Sequence, residues 1–325
     1  MAKKIKTLLS LTIVIVLALS FTVGFASEEA EAAYGEKAYA HVQYLSQEIG
    51  LRAAGSQQEK DAADYIKSQY ESFGYTVETQ PFTFEGEDGE LESQNLIIPH
   101  PANSEDKEYT VYVGAHYDST GDDSQGAHDN ASGTGVVLEA AERVVDFEPH
   151  YNLVFLAFGA EELGLIGSDY FVANMTGDEI GDTAAMINLD SLIGGDYLYI
   201  HGTEGAGGWV RDQILESAQK LDLNIRVQPG LNPDYPEGVG YPASDHVPFE
   251  MVDIPYANYE STNWEEDQLD EEMTGYVETV EQGVIWHTER DRLEFLEEAF
   301  PGRVEERLKD SAQSLTDIIE QLVIE

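Results

Sequence analysis

Tyr109-Thr-Val-Tyr-Val-Gly-Ala115 runs straight into His116-Tyr-Asp118. The run has strand length and is apolar at consecutive positions, as expected of a strand buried on both faces of a sheet. Two more segments read the same way. Asn152–Phe158 leads through Gly-Ala into Glu161-Glu162, and 184–189 leads into Asp190. Helical patterns lie between them. Residues 133–145 set Val136, Val137, Ala140, Ala141, Val144 and Val145 along one stripe, and 163–174 reads as a further helix. Strand, helix, strand, helix predicts an α/β domain whose central sheet is mixed but mostly parallel and is flanked by helices.

The pattern extends outward from this centre. Residues 34–49 are helical, with Ala38, Val42, Leu45 and Ile49 on one face, until Gly50 breaks them. Ser56 is placed to cap a second helix that turns Ala62, Ile66, Tyr70 and Phe73 inward. Residues 77–84 and 95–98 read as strands around an acidic, Gly-containing turn at 85–92. Further strands are expected at 197–200 and 254–259, and further helices at 207–221 and 302–324. There is no internal repeat.

The amino-terminal segment stands apart. Lys3, Lys4 and Lys6 precede a mostly apolar stretch from Leu8 to Phe21, and small residues follow at Gly24–Ala26. This is the pattern of a secretory signal peptide, with cleavage after Ala26 or near Ala32 or Ala33. The apolar run is short for a membrane anchor. The expected organisation is a signal peptide over 1–26 and a catalytic domain over 27–325, in a secreted protein.

Composition narrows the chemistry. The 325 residues contain no cysteine, which removes thiol nucleophiles and thiolate ligands and leaves imidazoles and carboxylates to hold any metal. The formal charge is −46, from 63 acidic and 17 basic residues, so nucleic acid and anionic membranes are poor partners. The acids are spread along the chain, which describes an acidic folded surface rather than an acidic tail. Adaptation to a salty or alkaline habitat is one hypothesis for it: stability that rises with salt would support the idea, and a flat curve would count against it.

The metal-seeking residues have a common placement. His116, Glu161 with Glu162, and Asp190 each follow a central strand, at the sheet edge where open α/β folds bind ligands. Asp129 of Ala127-His-Asp129-Asn-Ala-Ser-Gly133 opens the following helix, and His287 of Trp286-His287-Thr-Glu-Arg-Asp291 arrives from a late loop. His116, Asp129, Glu162, Asp190 and His287 supply enough donors for a pair of divalent ions that keep positions open for water and substrate. Asp118 is spaced to orient an imidazole. Glu161 is then left over, and a carboxylate beside a metal-activated water is the expected general base.

These ordered motifs, together with Arg52…Gly55-Ser56 and Ser244-Asp245-His246-Val-Pro-Phe249, make residues 35–325 resemble the secreted zinc aminopeptidases of the M28 peptidase family, with a phosphorylase/hydrolase-like fold. The resemblance implies two zinc ions per chain. His116 and Asp190 would bind one, Glu162 and His287 the other, and Asp129 both. It implies Glu161 as general base and later proton donor, a cis peptide between Asp129 and Asn130, and peptide or protein substrates with a free amino terminus. The chain departs from several relatives at Trp286, where they carry a tyrosine that supports the tetrahedral intermediate; the indole N–H has a different reach. The 75–109 interval leaves no room for an inserted domain.

Each assignment has a plainer rival. Asp129 could cap a helix, and Glu161-Glu162 could be a solvated helix start. Asp245 and His246 read either as part of the substrate pocket or as a structural pair. His41, His100, His128, His150 and His201 read as structural or surface residues, and Arg52 as structural. The acidic stretch 260–281, with nine Asp or Glu, reads as a solvated flap, with a structural calcium site as its alternative. The expected activity is hydrolysis of the N-terminal peptide bond. A carboxypeptidase on the same fold would need cations for the substrate carboxylate, for which Arg211, Arg226, Arg290 or Arg292 are available. A single-zinc glutaminyl cyclase and a catalytically inactive binding protein complete the alternatives.

Overall fold

A computed structural model describes residues 32–324 apart from 87–88, 122, 232–234 and 266–276. The signal-peptide expectation over 1–26 and the middle of the acidic stretch lie outside the described residues. One compact unit spans Ala32–Glu325.

The three apolar runs form β3 (Thr110–His116), β4 (Asn152–Phe158) and β5 (Thr183–Asp190), which lie side by side and parallel. They occupy the middle of an eight-stranded sheet together with β1 (Glu78–Gly86), β2 (Gly89–Pro99), β6 (Tyr197–Gly202), β7 (Ile225–Val227) and β8 (Tyr256–Thr262), in the order β1-β2-β4-β3-β5-β8-β6-β7. β8 adds parallel to β5, pairing Asp190 with Glu260, while β2 and β6 run antiparallel to their inner neighbours. The carboxyl ends of β4, β3, β5 and β8 therefore share one rim.

Helices cover both faces. α1 (Glu36–Gln43) widens into a π-type turn over Tyr44–Ile49, and α2 (Gln57–Phe73) starts where Ser56 accepts the Glu59 amide N–H. α3 (Ser132–Val144) lies deepest: Val136, Val137, Leu138, Ala140, Ala141 and Val144 are all buried. With α6 (Trp209–Lys220) and α9 (Arg303–Gln321) these helices form the larger core, into which α9 sends Val304, Leu308, Leu315 and Ile318. The opposite face is thinner. There α4 (Ile166–Ala173) and α7 (Val247–Glu250) pack Phe171, Val172 and Phe249 on Tyr112, Leu156, Phe158 and Met186.

Some boundaries differ from expectation. α4 begins at Ile166 rather than at 163, because Leu165 sits in the left-handed region at φ 63° and residues 163–165 form a turn. The anticipated turn at 85–92 shrinks to the link between β1 and β2, since ladder pairing from Glu78 with Ile97 to Gly86 with Gly89 sustains both strands. The brief β7, α5 (Gly177–Gly181), α7 and α8 (Leu293–Ala299) are each too short to carry a periodic signal in the sequence.

Candidate metal centre

The shared rim gathers the metal-seeking residues. His116 and Asp190 are the last residues of β3 and β5, and Glu161 and Glu162 lie in the turn after β4. Asp129 comes from the bend before α3, where the Asp129–Asn130 peptide is cis. Gly133 lets this bend close on the sheet: a Cβ there would lie 2.3 Å from the Leu189 carbonyl oxygen. His287 reaches in from the loop before α8, with φ at 57°.

Asp129 stands at the centre, its Oδ1 3.2 Å from Nε2 of His116 and its Oδ2 3.2 Å from Nε2 of His287. His116 Nε2 also lies 3.4 Å from Asp190 Oδ1 and 3.9 Å from Glu161 Oε2. His287 Nε2 is 2.6 Å from Glu162 Oε2. Two triads have donor atoms close enough to share an ion: His116, Glu161 and Asp190, and His116, Asp129 and Glu162.

Electrostatics explain what such a cluster suits. Burial and the neighbouring Asp129 charge push the Glu162 carboxyl up to about 8, against the hydrogen bond from His287. Burial, followed by Asp245, Asp190 and Glu162, pushes Glu161 well up despite His116. Burial disfavours the Asp129 carboxylate, but the two imidazoles outweigh it and hold its carboxyl far below the usual range. Among the described residues that line the site there is no lysine or arginine. Crowded carboxylates and imidazole nitrogens with no organic cation fit divalent metal ions, which balance that charge and accept nitrogen and oxygen donors.

A surrounding layer fixes these donors. Asp118 lies 3.4 Å from Nδ1 of His116 and accepts the amide N–H groups of Glu161 at 3.1 Å and Glu162 at 3.2 Å. It stands beside the imidazole it was expected to orient, and it clamps the turn that carries both glutamates. Glu59 of α2 accepts the N–H of Ala160, whose φ is 54°, together with those of Gly55 and the Ser93 hydroxyl. Burial, then the charge of Asp118, pushes Glu59 up to about 7. Asp291 accepts the amides of His128 at 2.6 Å and Asp129 at 3.2 Å.

The site opens into a cavity of about 530 Å³ whose outer wall includes Leu165, Ser191, His201, Tyr241, Ser244, Asn258, Glu260, Ser261 and Trp286. The Trp286 and His287 ring centroids are 4.1 Å apart. Asp245 and His246 lie wholly buried behind this wall; His246 stacks on Tyr256 at 4.3 Å, and burial pushes Asp245 up to about 7.

Two expectations change here. His201 lines the cavity instead of being merely structural. Glu278 is not part of a solvated flap: it is buried and bonded to the equally buried His128 at 2.6 Å. Glu59, Glu278 and Asp291 had no assigned role, and only Asp291, four residues past His287, stood in a quoted motif.

Comparison with known proteins gives a consistent picture. Residues 95–311 match the model for peptidase family M28. The alkaline phosphatase isozyme conversion protein of Escherichia coli K12 is 28% identical over 320 residues, covering 89% of this chain and 90% of that protein. Aminopeptidase YwaD of Bacillus subtilis 168 is 32% identical over 71% of this chain, but the match spans only 45% of YwaD. Among solved structures, a zinc aminopeptidase from Bacillus subtilis superposes with a TM-score of 0.67 at 20% identity, covering 86% of this chain and 95% of that one. A glutaminyl cyclase from Bacteroides thetaiotaomicron does so with a TM-score of 0.65 at 19% identity, covering 89% and 98%.

Proposed function

Because the chain belongs to peptidase family M28, we propose that this metallo-aminopeptidase is a secreted two-zinc enzyme that removes N-terminal residues from peptides and proteins. Peptide hydrolysis follows from the family. The observation that carries the finer reading is Asp129, whose two oxygens face two different imidazoles. In this reading His116 and Asp190 would hold one zinc, Glu162 and His287 the other, and Asp129 would contribute to both. Zinc ions so held would supply a polarised scissile carbonyl and a water of lowered pKa.

The chain's own groups do the rest. Glu161 borders the cavity with its side chain 12% exposed. It is the general base that takes a proton from the attacking water and the acid that returns it to the leaving amine. Asp118 keeps Glu161 in place through its amide.

Recognition of an amino terminus is supported by the acidic lining. The arginines that a carboxypeptidase would use are occupied elsewhere. Arg211 bonds Gly238 and Asp212, Arg226 lies over Tyr197, Arg290 bonds Gln282 and Val284, and Arg292 bonds Asp123. An inactive binding protein would not need Glu161 and five further donors at one rim. Secretion rests on the first 26 residues, and residues 27–325 would form the catalytic domain. Among the described residues no helix is long and apolar enough to cross a membrane.

The test is hydrolysis of a leucyl peptide against its N-acetylated twin, each with and without chelator. Cleavage of the free amine alone, abolished by chelator and restored by zinc, is the expected result. Cleavage of both peptides, or of neither, overturns recognition of the amino terminus.

A further inference from the structure

We propose that the buried pair His128–Glu278 is a positioning device for the metal centre, holding the His287 arm at the distance the second ion requires. The proposal rests on the two-zinc reading given above. His128 is adjacent to Asp129, and Glu278 reaches the residues just before His287, so one side-chain contact ties together segments that each carry a ligand.

The hydrogen bonds define a continuous strut. His128 Nδ1 accepts the amide N–H groups of Ile193 at 3.2 Å and Gly194 at 3.1 Å, in the loop that follows Asp190. The imidazole proton therefore sits on Nε2, which donates to Glu278 Oε1 at 2.6 Å. The other oxygen, Oε2, accepts the amides of Ile285 and of Trp286, the latter at 2.9 Å. Three ligand-bearing segments, at Asp129, Asp190 and His287, thus meet on two side chains that are 0% and 1% exposed. Gly194 is required for the first link, because a Cβ there would lie 2.7 Å from the His128 ring. His287 needs such support: it is a non-glycine residue at φ 57°, a conformation that persists only where its surroundings hold it.

The donor pattern makes the strut sensitive to one atom. Glu278 meets N–H donors on both sides and offers an acceptor to each. A glutamine has one acceptor oxygen and one donor nitrogen, so whichever way its amide turns, a donor faces a donor. His128 cannot relieve the conflict by moving its proton, since Nδ1 already faces two amide N–H groups.

The experiment titrates zinc and cobalt(II) into the metal-stripped full chain and its Glu278→Gln variant, following metal content, cobalt absorption and kcat. The unsubstituted chain should bind two ions. The variant should bind one as before and the other about 10–100-fold more weakly, the range typical of lost outer support, with an altered cobalt spectrum for that ion and kcat recovered at excess zinc. Unchanged affinity for both ions, with only a lower unfolding temperature, would overturn the proposal and leave a purely structural pair. If Glu278→Gln does not fold, His128→Asn asks the same question, since its amide oxygen can replace Nδ1 toward Ile193 and Gly194 while its side chain is too short to reach Glu278; a selective loss of one ion is again expected, and none would overturn the idea. An unsubstituted chain that binds fewer than two ions overturns the two-zinc reading itself, and the proposal with it.

Discussion

Asp129 offers each of its carboxylate oxygens to a different imidazole, Oδ1 to His116 and Oδ2 to His287, both at 3.2 Å. One residue therefore faces both imidazoles, while Asp190 lies 3.4 Å from His116 and Glu162 lies 2.6 Å from His287.

Replacing Asp129 should thus have wider consequences than replacing a ligand on one side. Asp129→Asn should weaken binding of both ions, by more than the roughly 100-fold that loss of outer support can cost. His287→Ala should weaken one. Metal content after dialysis against buffered zinc measures both, and an Asp129→Asn chain that loses a single ion would contradict the bridging role.

Glu161 poses a sharper question, because it stands within ligand reach of His116 and Asp190 as well as facing the cavity. As the general base it should be dispensable for metal but not for turnover. Glu161→Gln is expected to lower kcat by roughly 10²–10⁴-fold with zinc content unchanged. Loss of zinc in that variant would make Glu161 a ligand and move the proton transfer to another group.

The contrast between the donors and their supports explains what could be read from sequence. His116, Glu161, Glu162 and Asp190 were visible because each ends or closely follows a strongly apolar strand, and the sheet edge at its carboxyl side does the rest. The central parallel strands were legible for the same reason. His128 and Glu278 were not. They are 150 residues apart, each is unremarkable in its own segment, and Glu278 lies in a stretch whose acidity describes a surface. The insertion of β8 between β5 and β6 is likewise a long-range pairing with no local signature. It nonetheless places Glu260 beside Asp190 and so shapes the cavity.

Arg52 shows how much of the site is backbone held by side chain. It is wholly buried, and its guanidinium donates to the carbonyls of Leu45, Gly50, Tyr117, Gln125 and Gly126. Tyr117 lies within the His116–Asp118 segment, Gln125 and Gly126 precede Asp129, and Leu45 and Gly50 belong to the turn after α1. A lysine cannot reproduce the planar fork and would leave buried acceptors without partners. Arg52→Lys should lower unfolding free energy by about 3 kcal/mol and reduce metal retention. Urea unfolding measures the first, and a stability equal to that of the unsubstituted chain would show that the carbonyls find other donors.

A pH effect is expected far from the metal centre, at His41. This residue is 7% exposed, its Nδ1 lies 2.8 Å from the Tyr65 hydroxyl, and burial, with Lys37 one turn away, lowers its pKa from 6.5 to about 4. The folded chain thus keeps the imidazole neutral, whereas the unfolded chain protonates it near 6.5. Its contribution is fully present above the unfolded value and is lost as the pH falls from there toward about 4, because the unfolded state then binds the extra proton. Between about pH 7 and about pH 5 the loss is roughly 2 kcal/mol. His41→Gln, whose amide oxygen can still accept the Tyr65 proton, removes the titration. Urea unfolding at both pH values should show the unsubstituted chain losing more stability on acidification than the variant, and equal losses would mean that His41 is protonated in the folded state as readily as in the unfolded one.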